Sequence, residues 1–144
     1  ILVRTNTKNC MGYILHCDNC GNRKIVHDVE HTCNICNSKA KLAGPLWTES
    51  LYDKDFVDSM VSEEKDLTVD KSCKTFLEKC QEEIGMPPTY FTLDEIGHRK
   101  QSAPPSLTKI IEKLKETGKR ATRTSMNPTG FKTDATMDEI LSLV

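Results

Sequence analysis

Long apolar runs are missing from this 144-residue chain, and no stretch approaches the length a membrane-crossing helix needs. Glycine is scarce, with seven in all, and none gathers into a Gly-rich loop after a strand. The chain therefore shows no phosphate or adenosyl cradle of the kind that nucleotide-binding enzymes carry. No Met opens the chain, and neither a basic n-region nor an h-region follows, so no secretory signal is visible. The strand-like start, Ile1-Leu2-Val3-Arg4, instead leads us to expect a piece of a longer protein. Net charge is only −1, which argues against a uniformly basic surface. No catalytic constellation stands out. Asp53, Asp55 and Asp58 read as a helix cap and a solvated face rather than as a metal cluster.

Cysteine, by contrast, is plentiful. Cys17-x-x-Cys20 and Cys33-x-x-Cys36 form two close pairs, and four thiolates so spaced suit the tetrahedral all-sulfur shell of Zn²⁺. Gly21 and Asn37 follow the two pairs and tolerate the left-handed backbone of a tight metal-binding turn. Two disulfides are the competing reading, and a redox pair is another, although that chemistry uses one C-x-x-C and this chain has two. His16, His27 and His31 are alternative ligands. A shell closed by four thiolates has no open position, so the expected role is structural. Cys10, Cys73 and Cys80 are left as free thiols, which points to a reducing, intracellular and most simply cytoplasmic setting.

The near-neutral charge hides a pattern. Residues 1–50 carry +2, residues 51–95 carry −7 and residues 96–144 carry +4. Tyr13–Leu15 and Arg23–His27 read as short strands, with Gly44-Pro45 closing the ribbon. Asp53 can cap a helix with Phe56, Val57, Met60 and Val61 on one face. Asp70 can cap another whose stripe is Cys73, Phe76, Leu77, Cys80 and Ile84, so both cysteines are expected to be buried. Thr92-Leu93-Asp94-Glu95 is a capping box. Ser106 opens a helix with Leu107, Ile110, Ile111 and Leu114 on one stripe. Arg120–Thr124, a turn at 127–130 and Phe131–Thr133 then form a hairpin, and Thr136-Met137-Asp138-Glu139 starts a last helix. Helix, turn, helix and hairpin is the order of a winged-helix unit.

The expected fold class is α+β, a zinc ribbon followed by helices and a winged-helix-like C-terminal unit. Its parts are the last strand of a truncated domain at 1–9, the ribbon at 10–45, linking helices at 46–91 and the winged-helix-like unit at 92–144. Arg99, Lys100, Lys109, Lys113, Lys119, Arg120, Arg123 and Lys132 fall where such units meet nucleic-acid phosphates. A solvated surface explains the same spacing equally well, and Arg123 is a candidate to pair with Asp134 across the hairpin.

Two stretches resemble a known family. Gly44-Pro45-Leu46-Trp47, with Leu51-Tyr52-Asp53 and Phe56-Val57 after it, is similar to a Gly-Pro-Leu-Trp segment of the tRNA guanine-26 N2-dimethyltransferases. Ala121-Thr122-Arg123-Thr124, then Asn127-Pro128-Thr129-Gly130-Phe131-Lys132-Thr133-Asp134-Ala135, resembles that family's Ala-Ser-Arg-Thr…Pro-Thr-Gly-Ile-Lys-Thr-Asp-Ala block. The chain departs from it at Thr48-Glu49-Ser50. The resemblance implies the C-terminal, tRNA-engaging domain of an S-adenosylmethionine-dependent enzyme. The cofactor and the catalytic aspartate would then belong to an N-terminal domain outside this chain, and that domain would be a partner. No catalytic residue carries over. Two other readings stay open, a DNA-binding transcription factor and a module that only packs against the missing domain.

Overall fold

A computed structural model describes residues 10–64 and 68–144; the strand expected at Ile1–Arg4 lies outside the described residues. The chain divides into two compact units. One runs up to Glu49 and takes in Thr136–Glu139; the other comprises Ser50–Ala135 and Ile140–Val144. The architecture is a mixture of small antiparallel sheets and helices.

The first unit holds one sheet, with strand order β2-β1-β3, built from β1 (Met11–His16), β2 (Arg23–Val26) and β3 (Lys41–Trp47). β1 pairs with both neighbours, Leu15 facing Lys24 on one side and Leu42 on the other. Its core is small: Leu15, Cys17, Val26, Cys33 and Ala40. The expected end of the ribbon at Gly44-Pro45 needs correction, because both residues lie inside β3. Proline cannot donate to a ladder, but β3 is an edge strand, where that costs nothing. Gly44 sits opposite a register shift between Gly12 and Ile14. With φ of +146° it occupies backbone space that side chains rarely enter, and a Cβ there would lie 2.7 Å from Tyr13 Cδ1.

The second unit begins with α1 (Lys54–Glu64) and α2 (Lys71–Glu82), which pack as a hairpin. Asp53 Oδ1 accepts from the Phe56 N–H, and Asp70 Oδ1 accepts from the Ser72 N–H. Each satisfies one of the orphan amides of a helix start. β4 (Phe91–Thr92), α3 (Leu93–Lys100), α4 (Leu107–Glu116), β5 (Ala121–Arg123) and β6 (Gly130–Thr133) follow, with strand order β4-β6-β5. Thr92 Oγ1 accepts from Glu95 N–H, as its capping box implies, and Ser106 Oγ accepts from Lys109 N–H as a simple cap. All four stripe residues of α4 are buried, each stabilising by roughly 1.5–3 kcal/mol. Phe91 and Phe131 stack across the sheet with ring centroids 6.0 Å apart. α5 (Met137–Ser142), whose first residues fall with the first unit, starts at the Thr136 box, whose hydroxyl and N–H both bond Glu139 Oε2.

The stripe expected on α2 is only partly covered. Cys80 is buried, but Cys73 is exposed and Phe76 is 51% exposed, so the expected burial of Cys73 is corrected. The helical period is right; among the described residues nothing in this unit covers its outer half.

Candidate metal centre and basic face

The four paired cysteines converge. Their sulfurs all lie within 4.8 Å of one another, with Cys17 and Cys36 Sγ 3.5 Å apart and Cys20 and Cys33 Sγ 3.6 Å apart. A disulfide needs about 2.05 Å, and all four are free thiols. A tetrahedron of sulfurs at about 2.3 Å from one ion has edges of about 3.8 Å, so the donor set fits a single thiophilic cation.

Local sequence builds this geometry twice. The Gly21 N–H bonds Cys17 O and the Asn37 N–H bonds Cys33 O, closing equivalent turns at 2.7 and 3.0 Å. Cys17 N–H then reaches Asn22 O, and Cys33 N–H reaches Ser38 O. Gly21 has φ of +76° and Asn37 of +57°, the left-handed conformation expected of both. Asn19 Nδ2 bonds Ser38 Oγ at 3.2 Å and Asn22 Nδ2 bonds Asn34 Oδ1 at 3.3 Å, locking one turn to the other.

The thiols differ in acidity. Hydrogen bonds from Ser38, through its hydroxyl and its N–H, lower Cys36 to about 5. Burial pushes Cys20 up to about 12. None of the three histidines belongs to the cluster, and His16 instead lies 3.5 Å from Asp18.

The eight basic positions fare differently. Lys132 is 1% exposed, with Nζ 2.8 Å from the equally buried Glu83 Oε2, so its expected place on a phosphate-contacting surface is corrected. The charge expected outside points inward because Glu83, at the end of α2, supplies the opposite charge. Glu83 Oε1 also accepts from Thr124 Oγ1 at 3.2 Å and from the Ser125 N–H. Burial alone would push this carboxyl up, but the Lys132 ammonium and the Ser125 N–H and hydroxyl hold it below its ordinary value.

Lys100 Nζ donates to Leu141 O at 2.8 Å and Lys113 Nζ to Leu143 O at 2.5 Å, so both satisfy carbonyls at the end of α5. Arg99 lies 3.8 Å from Glu95 on its own helix. Arg120, not Arg123, meets Asp134, at 3.3 Å, and also donates to Gly85 O at 2.9 Å. Arg123 donates to Thr108 Oγ1 at 2.8 Å. Lys109 is exposed on α4. Lys119 and Arg120 line a cavity of about 550 Å³ that also contains Lys115, a cation the helical-face argument passed over. Lys115 was legible as the next exposed lysine along α4, two residues beyond Lys113.

A four-thiol centre in a small sheet, followed by a helical unit with a basic face, defines a two-unit α+β protein able to hold a metal. Sequence comparison goes further. The profile of the family described as N2,N2-dimethylguanosine tRNA methyltransferase matches residues 3–144, and the chain belongs to that family. The tRNA (guanine(26)-N(2))-dimethyltransferase of Methanothermobacter thermautotrophicus is 31% identical over 135 residues, covering 90% of this chain and 36% of the relative. The enzyme of Methanosphaera stadtmanae is 29% identical over 140 residues, 93% of this chain and 36% of the relative. The solved complex of Trm1 from Pyrococcus horikoshii with S-adenosyl-L-methionine matches with a TM-score of 0.76 at 29% identity, over 95% of this chain and 36% of that one. The chain thus spans 36% of the length of these relatives. No described helix is long and apolar enough to cross a membrane.

Proposed function

We propose that this chain is the C-terminal, tRNA-engaging part of an S-adenosylmethionine-dependent tRNA (guanine-26 N2)-dimethyltransferase. The observation that carries the reading is the family match across residues 3–144. The methyl donor and the reacting guanine then belong to the remaining, N-terminal part of the polypeptide, and this chain supplies binding surface. The relatives' names give no support to a DNA-binding factor.

Two finer assignments go with it. Cys17, Cys20, Cys33 and Cys36 hold one structural Zn²⁺; the support is a sulfur cluster of the right size with no fifth donor. The segment at 92–144 is a winged-helix-like unit; the support is its order, two helices and then a hairpin, with strand order β4-β6-β5. In that reading α4 and the hairpin face the RNA, with Lys109, Lys115, Lys119 and Arg123 as phosphate contacts and Arg120 held partly by Asp134.

The test is tRNA affinity of the full-length protein across a salt series, for wild type and for Lys109→Ala and Arg123→Ala. Each lost duplex phosphate contact flattens the log–log slope by about 0.9. Unchanged affinities and slopes in both variants reject the RNA face. The 144-residue chain alone transfers no methyl group to tRNA; labelled product from it would overturn the division of labour.

A further inference from the structure

The outer side of the α1–α2 hairpin carries an apolar groove that has no role in the reading above. Met60 on α1, Val69, and Cys73, Phe76 and Leu77 on α2 line an apolar cavity of about 710 Å³. Phe56, one turn before Met60, is 67% exposed, and Phe76 is 51% exposed. α1 buries one residue, Val57. An 11-residue helix cannot hold its shape on propensity alone, and one buried side chain against α2 is a thin support. Contiguous apolar area of this kind marks a surface that another body covers.

We propose that this groove is the seat of the remaining part of the same polypeptide, which docks on it through an apolar ridge flanked by basic residues. The inference rests on the reading of the chain as a piece of a longer methyltransferase, and it names the face that joins the two parts. Three observations select the occupant. The relatives are longer than the match by almost two-thirds of their length, so a covalently attached body is available, and a tether raises its effective concentration to the millimolar range. The charged residues lining the groove are Glu63 and Glu64, both acidic, which disfavours RNA and anionic lipid as occupants. A second copy would set Glu63 and Glu64 against their own counterparts, which disfavours self-association.

Cys73 lies in the groove and is exposed, so it reports whether the groove is covered. The experiment is alkylation with N-ethylmaleimide, mapped to individual cysteines by mass spectrometry, on the 144-residue chain and on the full-length protein. Cys80, 2% exposed on the same helix, stays unmodified in both if α2 is folded. We expect Cys73 to react at least about tenfold more slowly in the full-length protein than in the chain. Equal rates would overturn the proposal, and so would protection in the chain alone, whether it rises with concentration, as for a second copy, or not. Methyl transfer is assayed on the same full-length sample. Activity with unprotected Cys73 sinks the groove alone; protection without activity sinks the functional reading alone.

Discussion

The two units solve the problem of staying folded by opposite means. Among the described residues, the first has a core of five, two of them cysteines of the four-thiol cluster, around a three-stranded sheet. The second buries Phe91, Ile96, Leu107, Ile110, Leu114 and Phe131, and sets a paired charge at 0–1% exposure among them. A segment with so little apolar volume is of the kind that a bound metal can fold, whereas a segment with a continuous stripe depends on packing. The difference also explains why the cysteines are local in sequence and the ion pair is not. A metal can gather donors from two turns, but a buried carboxylate must find its ammonium wherever the sheet brings it.

The largest expected effect separates the units outright. If zinc folds the first, a strong chelator removes about 10–16 kcal/mol of coupled binding and folding. It should abolish the amide protection of β1–β3 and leave α4 protected in hydrogen exchange. Loss of protection in both, or in neither, breaks the contrast.

Next comes the buried pair. Lys132→Ala leaves Glu83 charged and alone, and should cost about 3–5 kcal/mol in the second unit's unfolding, measured by urea titration. The same pair sets an acid limit. The Glu83 carboxyl is held below its ordinary 4.5, so its contribution is present above that value and disappears as pH falls through the lower, folded-state value. Stability of the second unit should therefore fall below about pH 4.5 in wild type, and less steeply in Glu83→Gln. Equal acid limbs would show that the pair carries no such linkage.

The smallest effect tests local structure. Ser106→Ala removes the acceptor for the Lys109 N–H at the start of α4 and should lower stability by about 1 kcal/mol. No change on chelation should alter that figure.

What could be read from the sequence was what is local. The caps at Asp53, Asp70, Thr92, Ser106 and Thr136 lie within a few residues of the amides they serve, and the cysteine turns close over six residues each. β4 escaped because two residues carry no period; its strand character comes from pairing Phe91 with Phe131. β3 escaped because Gly44-Pro45 looks like a stop until one knows that the strand lies at an edge. Lys132 was misjudged because an isolated lysine belongs outside by default, and its partner sits 49 positions away in α2's closing turn. Separations of 41 and 42 positions hid the roles of Thr124 and Ser125, which look like ordinary hairpin residues until Glu83 is seen to accept from both.

That distance has a consequence for heredity. Glu83 and Lys132 stabilise only as a couple, and losing either one alone removes an amount comparable with the whole stability of a small domain. Among descendants of a common ancestor the two positions then behave as one inherited character. Lineages should keep both charges or exchange both for apolar residues, and any sequence carrying one without the other should show a third change beside it, supplying the missing charge from a new neighbour.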